Sequence, residues 1–242
     1  MNRIFATSFL FALLCATVLS AGCGSESSSE SSSSKSSSPK SIQIAPGVSL
    51  EMVRLPNGIW MGRTEVTQAQ WEAVMGENPS HFRGLENPVE TVSWDDCQEF
   101  LRRLNALPSV KDSGLTFQLP TEEEWEYACR AGATGALCLL VDEMDETVFT
   151  YDTLGQVAWF EHNSGEKSHP VGQKKPNAFG LYDMHGNVWE WTSTVDGEIR
   201  VCCGGSWYDM ALDCSSSTRD FYSSDSRRDS FGFRLCADGR AN

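Results

Sequence analysis

Apolar and polar positions alternate along the chain with changing period, and each change of period predicts a change of element. From Val48 to Trp60 the alternation is loose and breaks at Pro56-Asn57-Gly58, a turn-forming run that predicts two short strands joined tightly. Gln68 to Met75 then reads as a short helix. Thr67 and Gln70 stand at capping-box spacing, and Gly76 suits the left-handed residue that ends a helix. Ser93 starts a second helix, in which Trp94, Cys97, Phe100, Leu101 and Leu104 share one face. A third begins at Thr121, where Glu124 completes another capping box, Trp125 and Ala128 turn to the core and Gly132 closes the helix.

Beyond Gly132 regular periods fade. Ala133 to Tyr151 and Ala158 to Val171 read as loops, and strand-like pieces appear only at Ile199 to Cys202 and Phe231 to Cys236. Between them lies Asn177 to Trp191, with four aromatics, two carboxylates, two Gly and two Asn. Gly180 and Gly186 interrupt any period while Phe179, Tyr182, Trp189 and Trp191 ask for burial, so the stretch is predicted to be a folded loop. The sum is a single α+β domain of low regular content, opening near Ile42, with loops fixed by buried Trp.

Residues 1–22 stand apart from that domain. Arg3, the apolar run Ile4 to Leu19 and the small residues Ser20-Ala21-Gly22 form an export signal, too short to span a bilayer. The small residues before Cys23 resemble the lipobox of bacterial lipoproteins, although Ser20 stands where Leu is usual. This resemblance implies a lipid on Cys23, and the lack of Asp at the next position implies sorting to the outer membrane. Residues 23–41 are nearly all Ser and form a flexible tether to the domain at 42–242. The net charge of -14 and pI near 4.7 exclude nucleic acid as a partner. They leave the lipid as the only route to a membrane.

Charge and chemistry meet in the central stretch. Asp183 and Glu190 supply carboxylates, and the backbone carbonyls of Gly186 and Val188 lie between them. Calcium is held by six to eight such oxygens. On spacing alone, turn capping or exposure to water explains the two acids better. His81, His162, His169 and His185 show no ligand spacing, and no phosphate loop or nucleophile elbow is present.

The ordered motifs Gly62-Arg63-Thr64-Glu65-Val66-Thr67, Met75-Gly76-Glu77-Asn78-Pro79-Ser80, Pro88 to Trp94, Leu119 to Gly132, Asn177 to Trp191, Gly204-Gly205-Ser206-Trp207 and Gly232-Phe233-Arg234 closely resemble the sulfatase-modifying-factor family, the formylglycine-generating enzyme-like domains. The likeness runs from about Ile42 to Ala237. It implies a fold related to C-type lectin-like domains and calcium held by Asp183, Gly186, Val188 and Glu190. The family's other calcium site is not implied, because Trp159 stands where an Asn ligand would be wanted.

The same resemblance implies a copper-dependent oxidase built on two cysteines five residues apart, and here the chain departs from it. Those positions fall on Asp209 and Cys214, and a carboxylate cannot replace a soft thiolate for Cu(I). The favoured expectation is a non-catalytic domain that binds an exported protein, peptide or glycan in a groove lined by Ser206, Trp207, Asp209, Trp189 and Cys214. The alternative is a working oxidase of sulfatase cysteines, with Ser206 and Trp189 beside Cys214 and with Cys202 or Cys203 as the second thiolate. Seven cysteines remain after Cys15 and Cys23 are set aside, and Cys97 with Cys236 is one conceivable disulfide.

Overall fold

The computed structural model describes residues 39–134 and 151–238. The export signal, Cys23 and most of the tether lie outside these residues, as do Cys138 and nearly all of the loop expected from Ala133 to Tyr151. No helix among the described residues is long and apolar enough to cross a membrane.

In chain order the elements are β1 (Lys40–Ala45), β2 (Val48–Arg54), β3 (Trp60–Gly62), α1 (Gln68–Met75), α2 (Trp94–Leu104), α3 (Pro108–Ser113), β4 (Thr116–Gln118), α4 (Glu122–Arg130) and α5 (Tyr151–Leu154). There follow β5 (Ala158–Trp159), β6 (His185–Gly186), β7 (Trp189–Asp196), β8 (Ile199–Cys203), β9 (Arg219–Ser223), β10 (Phe231–Gly232) and β11 (Cys236–Asp238). One sheet runs β1-β2-β3-β11-β4, a second β10-β7-β8-β9, and β5 pairs with β6. The C-terminal β11 is thus inserted between β3 and β4, which ties the two ends of the domain together.

The helix starts form as their sequences demand. Thr67, Ser93 and Thr121 each accept from the backbone N–H three residues on, and Gln70, Asp96 and Glu124 return the bond. Each box satisfies two donors that a helix start otherwise leaves bare. Trp71 stacks on Phe100 at 5.2 Å, and Phe233 meets both rings edge-on, joining α1 to α2 in the main core. Trp125 anchors a second core with Val53, Met61, Cys129, Met184 and Cys203.

Several expectations need correction. The folded loop ends early: from Trp189 the chain is a strand, eight residues long and central to its sheet, with Trp189 and Trp191 on one face in the main core and Glu190 and Thr192 buried on the other. Ala131, not Gly132, caps α4 in the left-handed region, at φ 47°. Phe233 to Leu235 leave the sheet, so the expected strand Phe231 to Cys236 is two short ones. β1 begins at Lys40, inside the expected tether. Cys97 and Cys236 are free thiols in different cores, so the conceivable disulfide does not form.

Candidate functional site

β7 carries two polar centres. The first is buried. Glu190 points inward from the strand, and Arg234 meets it with two parallel bonds, Nε to Oε2 and Nη2 to Oε1, both 2.6 Å, with the side chains 1% and 0% exposed. Trp125 Nε1 adds a third donor to Oε2 at 2.6 Å. Arg234 also donates to the carbonyls of Gly62 and Tyr182, at 3.1 and 3.0 Å. Such a planar fork is what Arg, and not Lys, can offer.

Two further acids stand beside this pair. Asp183 accepts from the Gly172 N–H at 2.7 Å through Oδ2, and Glu65 accepts from Asn187 Nδ2 at 3.0 Å through Oε1. Asp183 Oδ1 and Glu65 Oε2 are buried with no donor. Burial pushes both carboxyls up, that of Asp183 to about 6, and each raises the other or is hydrogen-bonded to it. Neighbouring carboxylates in a buried site disfavour one another's charged form, which adds to the effect of burial.

A hard cation would find these bare oxygens suitable in kind. Asp183 has a free oxygen, and Glu190 Oε1 keeps a second lone pair, whereas Oε2 already accepts from both Arg234 and Trp125. Gly186 is held close: at φ +71° its hydrogen faces the Trp159 carbonyl, where a Cβ would fall 2.1 Å from the oxygen. No group of three or more His, Cys, Asp or Glu side chains among the described residues is arranged around a metal position. That does not test the expected set, which takes two side chains and two carbonyls.

The second centre lies where the chain leaves β8. Gly204 and Gly205 take φ of 101° and 74°, a conformation that costs Gly little. Gly205 must be bare for another reason, because a Cβ there would lie 2.8 Å from Cys214 Sγ. The reversal brings Ser206 and Asp209 together: the Ser206 hydroxyl and Trp189 Nε1 both donate to Asp209 Oδ2, the latter at 2.7 Å. Burial raises the Asp209 carboxyl while these two donors lower it. Among the described residues no donor reaches Oδ1.

Cys214 is fully buried, with its thiol 3.8 Å from the Ser206 carbonyl, and burial with Asp209 and Asp213 nearby pushes its pKa up. It stays a thiol. Cys202 packs into the core of Trp191, Cys203 into that of Trp125, and Cys214 into a third with Leu154 and Phe160. The structure therefore does not bring either neighbour to Cys214. His185 is buried and hydrogen-bonded, its Nδ1 2.9 Å from the Cys214 carbonyl.

The expected groove is corrected by burial. Ser206, Trp189, Trp207 and Cys214 are all buried, and of the five expected lining residues only Asp209 reaches the surface. What faces outward is the loop they support: Tyr208, Met210 and Leu212 are 71%, 67% and 75% exposed. Phe82 packs edge-on against Trp207 at 5.2 Å and His81 against Phe82 at 4.7 Å, which extends this surface to a second loop. The alternation of Tyr208, Met210 and Leu212 with Asp209 and Ala211 puts the three on one side of the loop, and nothing in it signals that this side is the exposed one.

Known proteins share these features. Residues 24–239 match the family model described as a sulfatase-modifying factor enzyme 1-like domain. Chaperone protein LppX of Paenibacillus barcinonensis is 32% identical over 61% of this chain and 69% of its own length. Inactive C-alpha-formylglycine-generating enzyme 2 of Bos taurus is 32% identical over 72% of this chain. The formylglycine-generating enzyme of Mus musculus is 29% identical over the same share. The chain spans 58% and 50% of the last two relatives. Among solved structures, Treponema denticola variable protein 1 superposes with a TM-score of 0.70 at 28% identity, over 83% of this chain and 99% of that one. PvdO from Pseudomonas aeruginosa, at 0.62 and 21% over 83% and 91%, shares the fold. The chain belongs to the sulfatase-modifying factor enzyme 1-like, or formylglycine-generating enzyme, family.

Proposed function

We propose that this protein is a non-catalytic, calcium-stabilised member of its family, exported and lipid-anchored through Cys23 at the outer membrane, that binds an exported protein or peptide. The observation that carries this is the state of the inherited centre. Asp209 is tied down by Ser206 and Trp189 where a second thiolate would be needed, and Cys214 is sealed away from any substrate. Cu(I) prefers two soft thiolates, and only one thiol is at hand.

The exposed Tyr208, Met210 and Leu212 supply the surface instead. Aromatic and Met side chains are enriched at interface cores, and here Asp209 Oδ1 adds an acceptor among them. Relatives named as a chaperone and as an inactive enzyme support a protein-handling role without oxidation. The same proposal includes a C-type lectin-like ancestry for the fold, and calcium held by Asp183 and Glu190 side chains with the Gly186 and Val188 carbonyls.

The test is incubation of the purified full chain with Cu(I), oxygen and a thiol-bearing sulfatase peptide, with mass spectrometry for aldehyde. No aldehyde and no stoichiometric copper are expected. Aldehyde that disappears in Cys214→Ser would overturn the proposal and establish an oxidase.

A further inference from the structure

We propose a second ligand site, for a small zwitterion such as a dipeptide, in the cleft between β2, the turn after β3 and the segment around Gly172. Its lining shares no residue with the Asp209 surface. The cleft has a volume of about 350 Å³, at the lower end of the roughly 300–1,000 Å³ usual for small-molecule sites.

Most polar groups in its wall are already satisfied from within. Gln70 donates to the Ser49 carbonyl at 2.8 Å, and its Oε1 accepts from the Thr67 N–H. Thr64 donates to the Glu65 carbonyl and Thr67 accepts at the start of α1. Three charged groups are different. Arg63, Glu51 and Glu86 all line the cleft, yet no ion pair within 4.0 Å joins Arg63 to either acid, nor does either carboxylate accept a hydrogen bond from another described residue.

Arg63 is nevertheless held in place. Its guanidinium lies over the Tyr182 ring at 4.9 Å and donates to the Tyr182 hydroxyl at 3.3 Å, leaving other N–H groups of the fork unused. The backbone beneath is pinned as well, by Arg63 N–H to the Glu51 carbonyl at 2.8 Å and Tyr182 N–H to the Arg63 carbonyl at 2.9 Å. A pre-ordered guanidinium recognises a carboxylate in two-pronged fashion at little entropic cost. Glu51 and Glu86, the two acids of the same lining, suit an ammonium. With one guanidinium and two acids in the lining, a molecule carrying both an ammonium and a carboxylate meets a partner for each charge.

Isothermal titration of the full chain with glycyl-leucine, its C-terminal amide and its N-acetyl derivative tests this. The free dipeptide is expected to bind, and either blocked form to bind about tenfold more weakly or worse. Arg63→Gln should reproduce the effect of the amide, and Glu51→Gln with Glu86→Gln that of the acetyl group, with thermal unfolding unchanged in each. Tyr182→Phe should weaken binding by a smaller factor. No heat from the free dipeptide at about 10 mM, or binding that survives Arg63→Gln, would overturn the proposal; so would a chain in which Arg63 closes onto Glu51 or Glu86 and excludes ligand. None of these outcomes bears on the Asp209 surface.

Discussion

Replacing Arg234 by Met is the sharpest probe of what holds the two sheets to the rest of the domain. The guanidinium is fully buried and neutralises Glu190, with Glu65 and Asp183 close enough to perturb one another electrostatically. Breaking a buried pair by removing one partner costs about 3–5 kcal/mol, because the other charge is left without compensation. The carbonyls of Gly62 and Tyr182 lose their donors as well, adding about 1 kcal/mol each at the low end for a buried group left bare. A loss of about 5 kcal/mol follows, set against a typical total of about 5–15 kcal/mol. Urea unfolding read by tryptophan fluorescence would register it as a large fall in midpoint. Arg234 also lowers the pKa of Glu65 and Asp183, so the deficit should widen as pH rises. Removing both charges, Arg234→Met with Glu190→Met, should recover part of the loss, since an apolar pair can replace a buried ion pair at little cost. A single variant within about 1 kcal/mol of the parent, or a double variant worse than the single, would refute the reasoning.

The remaining predictions concern local features. Thr121→Ala and Ser93→Ala each remove a capping-box acceptor and should cost about 1 kcal/mol in urea unfolding, with Ser at 121 restoring it. Gly186→Ala puts a Cβ against the Trp159 carbonyl at a left-handed φ and should cost about 2 kcal/mol or more, visible as a lower thermal midpoint. Added calcium should raise the thermal midpoint of chelator-treated protein, and Asp183→Asn should blunt that rise. In chelator, the Asp183 carboxyl sits at about 6 against an ordinary 3.8. Its contribution to stability is therefore complete below about pH 3.8 and lost as pH rises through about 6, a span worth about 3 kcal/mol. Urea midpoints from pH 4 to 7 should fall accordingly, and Asp183→Asn should flatten the curve.

Local chemistry was readable wherever a few neighbouring residues decide it. Thr67 with Gln70, Ser93 with Asp96 and Thr121 with Glu124 close their boxes within one turn, so α1, α2 and α4 start where the residues say. α3 and β9 were missed for lack of such signals: α3 is six residues without a side-chain cap, and β9 alternates among charged and half-buried residues at a sheet edge. The start of β7 was missed although Trp189-Glu190-Trp191-Thr192 alternates, because the run was read together with the glycine-broken stretch before it. Glu65 escaped notice because its partners Asn187 and Asp183 lie more than a hundred residues away.

Asp209 and Cys214 each approach Ser206, the first through its hydroxyl and the second through its carbonyl, but the motif register could not say which side chains look outward. That depends on two glycines and a thiol. Gly204 and Gly205 reverse the chain so tightly that Cys214 Sγ sits 2.8 Å from where a Gly205 Cβ would be, with Cys214 turned inward and Ser206 and Trp207 seated beneath the loop. With these below, the alternating residues Tyr208, Met210 and Leu212 have only solvent to face. The inward burial that removes Cys214 from a substrate and the outward display of apolar side chains are thus one geometric event. A variant that relaxed the Gly205 turn would be expected to disturb both together.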